Sequence, residues 1–142
     1  MASDDLHKHF VGMVAQKALI EKDGKILMVQ YPETDLYVPG LWDLPGGRLH
    51  NDEVASDGLK REVKEELGVD IEIIGVVTAF LNHGISFNAF VVIYRAALMD
   101  LEQPLTPEAG EIGKIEWCDK QDLLTLPFAF PEFKEALKPF LV

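Results

Sequence analysis

The sequence predicts an α/β fold, a mixed β-sheet covered by helices on both faces. Three observations carry this. Runs of β-type residues alternate with turn signals along most of the chain. A stretch in the middle, Glu53 to Leu67, has helix composition, with Leu59, Val63 and Leu67 at i, i+4 and i+8 forming an apolar stripe. A last amphipathic segment, opened by Pro131, places Phe133 and Leu137 on one face.

The elements follow in order. His9 to Ile20 is largely apolar with Lys17 inside it, and Lys25 to Tyr31 is apolar again. Lys22-Asp23-Gly24 between them is a hairpin signal, because Asp-Gly readily adopts the left-handed dihedrals of a tight turn. Pro32 to Gly40 is a loop. Leu41 to Leu44 is a short strand leading into Pro45-Gly46-Gly47, where two glycines let backbone approach a ligand or another element closely. The central helix should end at Gly68, a residue that tolerates the left-handed terminal position. Its start lacks a capping residue at Val54, so Asp52 or Ser56 is the expected cap. Gly58 lies within this helix. Alanine there stabilises by up to about 1 kcal/mol if the site is open, and destabilises if another element packs on the backbone. The first outcome is the one expected.

Val69, Ile71 and Ile73 alternate with Asp70 and Glu72, a half-buried strand reaching about Phe80, with a turn at Asn82-His83-Gly84. Ser86 to Leu98 contains Phe90-Val91-Val92-Ile93-Tyr94 and reads as a central strand buried on both faces. Asp100 to Gly113 is a polar loop carrying Glu102, Glu108 and Glu111; Lys114 to Cys118 is a strand and Asp119 to Leu124 a short helix. Pro139 should end the final helix.

At 142 residues and 48% hydrophobic, with neither a repeat nor a low-complexity tract, residues 1–142 are expected to form a single domain, with 1–8 a flexible N-terminus. The acidic start is unlike a signal peptide and no apolar run reaches the length of a membrane span, so the expected setting is cytoplasmic, with no membrane partner. One cysteine, Cys118, leaves no internal disulfide framework or Cys-rich zinc site and is read as packing beside Trp117. A net charge of −11 argues against a nucleic-acid polymer as partner.

Chemistry concentrates on the central helix. Glu62, Glu65 and Glu66 fall at i, i+3 and i+4, so three carboxylates share one surface patch. Arg61 can pair with Glu65 one turn on, and Glu53, two turns earlier, can reach the same guanidinium. Taken alone, such a face is most often a solvated acidic surface. An oxygen-only donor set also suits a hard divalent cation, Mg²⁺ or Mn²⁺. Bound cations would reverse the sign of the site and admit an anionic substrate despite the net charge. Arg48 and Lys17 are then candidate phosphate contacts, although exposed surface charge is at least as good a reading of each.

The spacing from Gly47 to Val69 resembles the signature of the Nudix hydrolase family: Gly, five residues, Glu, seven residues, Arg-Glu, an aliphatic, any residue, Glu-Glu, any residue, Gly, an aliphatic. Gly47, Glu53, Arg61, Glu62, Val63, Glu65, Glu66, Gly68 and Val69 fill every fixed position. Asp52 and Val54 depart from the residues the family often has beside its first glutamate.

The resemblance is to a small, single-domain, MutT-like member and implies a Nudix-type α/β/α sandwich with a mixed β-sheet. It implies hydrolysis of a pyrophosphate bond in a nucleoside diphosphate linked to another group, with Mg²⁺ or Mn²⁺ as cofactor and a small nucleotide as partner. A (deoxy)nucleoside triphosphate is expected ahead of a nucleotide sugar of the ADP-ribose type. Dimers are common in the family, so a homodimer is a further expectation.

Carried over, the catalytic set is Glu62, Arg61 and Glu65. The metal set is Glu62, Glu65, Glu66 and the backbone carbonyl of Gly46. Glu62 is either a third ligand or the general base; the base is otherwise a loop acid, Glu108 or Glu111, with Glu116 a weaker choice. Arg61 and Glu53 are expected to orient the others. Trp42, Tyr37, Phe80 and Phe87 are candidate faces for a base, although such a residue is more often core. His50 and His83 lack metal-ligand spacing and receive no role. Two other classes compete. A non-catalytic Nudix-fold nucleotide-binding module has no need of the intact acid set. An isomerase of the related diphosphate-isomerase fold would need an acid and cysteine constellation that Cys118 lacks.

Overall fold

The computed structural model describes residues 8–83 and 88–141. Phe87, Ser86, Gly84 and most of the expected flexible N-terminus lie outside the described residues. The described elements are β1 (Met13–Lys22), β2 (Lys25–Gln30), β3 (Trp42–Asp43), β4 (Gly46–Arg48), α1 (Ala55–Leu67), β5 (Ile71–His83), β6 (Asn88–Leu98), β7 (Lys114–Asp119), α2 (Lys120–Leu123), α3 (Glu132–Leu137) and a closing 3₁₀ turn (Lys138–Phe140).

β1 is the hub. It runs parallel to β6 from Met13 to Ile20 and antiparallel to β2 only beside the turn, at Glu21 and Lys22. Asp23 and Gly24 have φ of 53° and 77°, the left-handed pair that the Asp-Gly dipeptide predicts. Beyond the turn the two strands splay, and the run from Trp42 to Arg48 fills the wedge. β3 pairs with β2 at Val29 and Gln30, and β4 pairs with β1 at Ala15, Gln16 and Lys17. β7 covers the other edge of β2, and β5 extends the sheet antiparallel to β6. The result is a mixed, seven-stranded sheet. The wedge sets Gly46 and Gly47 against the middle of β1 and beneath α1.

Alternation along β1 and β2 feeds a core on each face. Ala18, Ile20, Leu27 and Val29 pack with Leu59, Val63 and Leu67 of α1. Leu19, Ile26 and Met28 pack with Leu123, Phe133 and Leu137 on the opposite face. This is the α/β/α sandwich. The strands buried on both faces are therefore β1 and β2, not β6. Along β6, Val91 and Ile93 join one core while Ala96 and Leu98 join the other. By alternation Phe90 shares the face of Ala96 and Leu98, but those two are buried in the core that α1 covers while Phe90 is exposed.

α1 begins two residues later than its composition suggests. Val54 stands at the N-cap with no side-chain cap, so neither Asp52 nor Ser56 serves there. Gly68 ends the helix with φ 73°, its N–H donating to the Lys64 carbonyl. Gly58 corrects the expectation of an open site. A Cβ there would lie 2.7 Å from Leu49 Cδ1, 3.1 Å from Gln16 Oε1 and 3.2 Å from Glu53 Oε1. The leucine methyl can rotate away, but Gln16 is buried and Glu53 is held by Arg61. Gly58→Ala should therefore lower stability by about 1–3 kcal/mol, the usual range for overpacking, as read by thermal melts of both proteins. A higher melting temperature for the alanine variant would contradict this packing.

No helix among the described residues is long and apolar enough to cross a membrane.

Candidate active site

The acidic face of α1 looks onto the β4 backbone, and Arg61 is its centre. The guanidinium donates to both Glu53 oxygens, one at 2.9 Å through Nη2. It lies 3.0 Å from Glu62 and 3.2 Å from Glu65, and its Nη2 also reaches the Arg48 carbonyl at 3.3 Å. Arg61 is held above its usual pKa, first by the hydrogen bond to Glu53. The same bond pulls Glu53 down to about 2. Glu53 also accepts from the His50 N–H at 2.7 Å, so it anchors the loop entering the helix. Gly47 is where Glu62 needs space: a Cβ there would fall 2.5 Å from Glu62 Oε2.

Glu66 points inward and is only 8% exposed. Its Oε1 accepts from the Gly46 N–H at 2.9 Å. Burial pushes its pKa up to about 8 against the pull of Lys17 and the Gly46 amide, with Asp43 and Glu62 adding to the rise. Lys17 is neither at the surface nor free to meet a phosphate. It is buried, with Nζ 2.9 Å from Asp43 Oδ2 and 3.4 Å from the Gly46 carbonyl oxygen. Burial alone would lower its pKa, but Asp43 and Glu66 outweigh burial and hold it above its ordinary value. Tyr31 Oη donates to Asp43 Oδ2 at 2.7 Å.

The polar loop before β7 is tied to the end of α1. Thr106 N–H donates to the Leu67 carbonyl and Glu108 N–H to the Glu66 carbonyl, both at 2.9 Å. These bonds satisfy carbonyls that the helix terminus leaves open. They also bring Glu108 to the acid face. Its pKa is raised by burial and then by the charges of Glu111, Glu65 and Glu62. Of the two loop acids, Glu108 is half-buried and Glu111 is exposed. Glu116 pairs with Lys114 at 2.8 Å on β7.

The other candidates separate. Arg48 is exposed at the end of β4. Trp42 is 8% exposed and packs in the core beside Phe128, and Phe80 stacks edge-on with Phe133. Tyr37 is exposed on the loop after β2. Asp43 and Tyr31 went unselected from the sequence. The available signal was a single lysine inside the apolar run of β1 and a single acid inside Leu41 to Leu44, two opposite lone charges at positions bound for the interior.

The NUDIX domain family model matches residues 14–140, nearly the whole chain. The chain belongs to the NUDIX family. The CTP pyrophosphohydrolase of Escherichia coli K12 is 32% identical over 112 residues, 79% of each chain. A MutT protein from Methanosarcina mazei superimposes with a TM-score of 0.79 over 90% of this chain and 91% of its own, and at 21% identity it supports the fold alone. A Streptococcus suis ADP-ribose pyrophosphatase gives 0.71 at 28% identity, over 92% of this chain and 90% of its own. As a Nudix hydrolase the chain is an enzyme of pyrophosphate chemistry, and divalent metal dependence goes with the family.

The residues fit such a cation by donor type. Glu62, Glu65 and Glu66 are all oxygen donors, and ionisation of buried Glu66 is opposed by its surroundings, an opposition that a bound cation would lift. Among the described residues no three His, Cys, Asp or Glu already converge as a cage, since Arg61 lies among the carboxylates. The opposition at Glu66 has a measurable sign. An acid whose folded pKa is about 8 against an ordinary 4.5 keeps its proton in the folded state after the unfolded chain has lost it. Folding then loses stability as pH rises through that interval, and Glu108 shifts in the same direction. Without divalent cations the melting temperature should fall between about pH 5 and pH 8, and Mg²⁺ should restore more of it at the higher pH. A cation-free melting temperature that rises over this range would contradict the assignment.

Proposed function

We propose that this enzyme hydrolyses a pyrophosphate bond of a small nucleotide, a nucleoside or deoxynucleoside triphosphate, using Mg²⁺ or Mn²⁺ held by Glu65 and Glu66. The supporting observation is the set of Glu62, Glu65 and Glu66 on one helix face, with Glu66 joined to the Gly46 amide. The substrate choice is supported by the CTP pyrophosphohydrolase relative. A nucleotide sugar of the ADP-ribose type is the second reading, favoured by the Streptococcus suis neighbour.

A bound divalent cation would screen the phosphate oxygens and the charge that develops on them. Glu65 and Glu66 would hold it, with the Gly46 carbonyl beside them. Arg61 keeps Glu62 and Glu65 on one face and ties them to the loop through Glu53. Glu62, against Gly47, is assigned as the base that takes a proton from the attacking water. Glu108 is its rival, because it faces the same cluster. If the assignment is right, Glu62→Gln lowers kcat by about a hundredfold while Mn²⁺ affinity, followed by EPR, stays within about threefold. If Glu108→Gln gives that pattern and Glu62→Gln does not, the base is Glu108.

The purified enzyme with Mg²⁺ and a panel of nucleoside triphosphates, ADP-ribose and phosphate monoesters tests the reading. Triphosphates should turn over fastest and monoesters least, since a monoester offers no pyrophosphate. ADP-ribose as the best substrate would transfer the proposal to the second reading. Binding without turnover of any member would leave a nucleotide-binding module.

A further inference from the structure

We infer that Lys17, Asp43 and Tyr31 form a buried clamp that positions the Gly46 peptide, and through it Glu66, for cation binding. The inference rests on the proposed role of Glu66 as a metal ligand and goes beyond it by assigning three residues outside the family signature.

Lys17, Asp43 and Glu66 are the buried charged side chains among the described residues. Burying an ammonium is costly, and a buried ion pair rarely stabilises more than apolar residues of the same volume would. Its placement is therefore the informative part. Lys17 on β1 is the register partner of Gly46 on β4, and the next residue, Ala18, donates its N–H to the Pro45 carbonyl at 2.8 Å. The Lys17 ammonium contacts Asp43 at one end of the Asp43–Gly46 turn and the Gly46 carbonyl at the other. One cation thus fixes both ends of the segment that carries Gly46.

Asp43 is itself immobilised. Its Oδ1 accepts from the Leu44 N–H at 2.8 Å, and its Oδ2 accepts from Tyr31 as well as from Lys17. From Gly46 the chain of contacts continues through its N–H to Glu66 Oε1. The Gly46 N–H lies in the Pro45–Gly46 peptide, whose carbonyl Ala18 holds, and the Gly46 carbonyl lies in the next peptide, whose oxygen Lys17 holds; rotation about the shared Gly46 Cα would move the donor away from Glu66. The clamp resists that rotation. Lys17, already engaged and buried, has no ammonium to offer a phosphate.

The test is Mn²⁺ binding by EPR, with kcat and KM on the same proteins. Lys17→Met with Asp43→Asn removes both charges of the pair, keeps a side-chain acceptor for the Leu44 N–H, and takes from Glu66 the attraction of Lys17 together with the repulsion of Asp43. Tyr31→Phe removes a single hydrogen bond. The double variant should fold, bind Mn²⁺ about tenfold or more weakly and lose kcat with little change in KM; Tyr31→Phe should bind Mn²⁺ about threefold more weakly. Folded variants whose Mn²⁺ affinity and kcat stay within about twofold of the parent would overturn the clamp, as would a rise in KM alone. If the double variant does not fold, unchanged Mn²⁺ affinity in Tyr31→Phe overturns it. Glu66→Gln run in parallel separates the two ideas. Unchanged Mn²⁺ affinity there removes the metal-site reading itself, whereas weakened binding there with unaffected clamp variants removes only the clamp.

Discussion

Glu66→Gln is expected to lower turnover by a hundredfold or more, about 3 kcal/mol of transition-state stabilisation, with the fold intact. The amide keeps an oxygen to accept the Gly46 N–H and removes a charge that burial opposes. At about pH 8 the variant should melt no lower than the parent in the absence of cations. What it loses is an anionic ligand. Steady-state rates with Mg²⁺, beside thermal melts, check both halves. A folded variant with a near-normal rate would remove Glu66 from the metal site.

Gly46→Ala should have the largest effect on stability. Gly46 has φ 139°, where L-residues are strained, and a Cβ there would lie 2.1 Å from the Gln16 carbonyl oxygen and 2.9 Å from Lys17 Cα. Both are backbone atoms of the neighbouring strand and cannot rotate away. β4 must separate from β1, at a cost of about 3 kcal/mol or more. Activity should fall with it, since Gly46 holds Glu66. Gly24→Ala is the control: φ is 77°, but nothing lies within 4 Å of the added carbon, so only conformational strain of about 1–2 kcal/mol applies. Denaturant melts of the two variants should differ accordingly. Equal losses would mean that the close approach at β4 is unimportant.

Much of this was legible in the sequence because the signals were local. Leu59, Val63 and Leu67 reported a helix face, Asp23-Gly24 a turn, and the glutamate spacing a shared surface, since each depends on residues within two turns of one another. What was missed is set by partners distant in sequence. Lys17 and Asp43 are 26 residues apart, and only the splaying of β1 and β2 lets β3 and β4 enter between them. The crowding at Gly58 comes in part from Gln16 on β1, and from Leu49 and Glu53 only because the loop before α1 folds back over the helix. The apolar run in β6 promised burial on both faces, but cover depends on where α1 crosses the sheet, and a strand does not encode that. Within the candidate site, the motif picks out the acids, and what the sequence does not show is how deep each one sits. Glu66 is inside, Glu62 lies against Gly47, and Glu65 is half exposed beside Arg61.

In the proposed reaction water attacks phosphorus in a pyrophosphate bond at the Glu62, Glu65 and Glu66 face. The reaction run with Mg²⁺ and a nucleoside triphosphate in ¹⁸O-water, with products read by mass spectrometry, tests it most directly. ¹⁸O is expected on a phosphate product, and that product should be lost with Glu66→Gln. Label on a sugar carbon, or rapid hydrolysis of a simple monoester with no pyrophosphate cleavage, would contradict it.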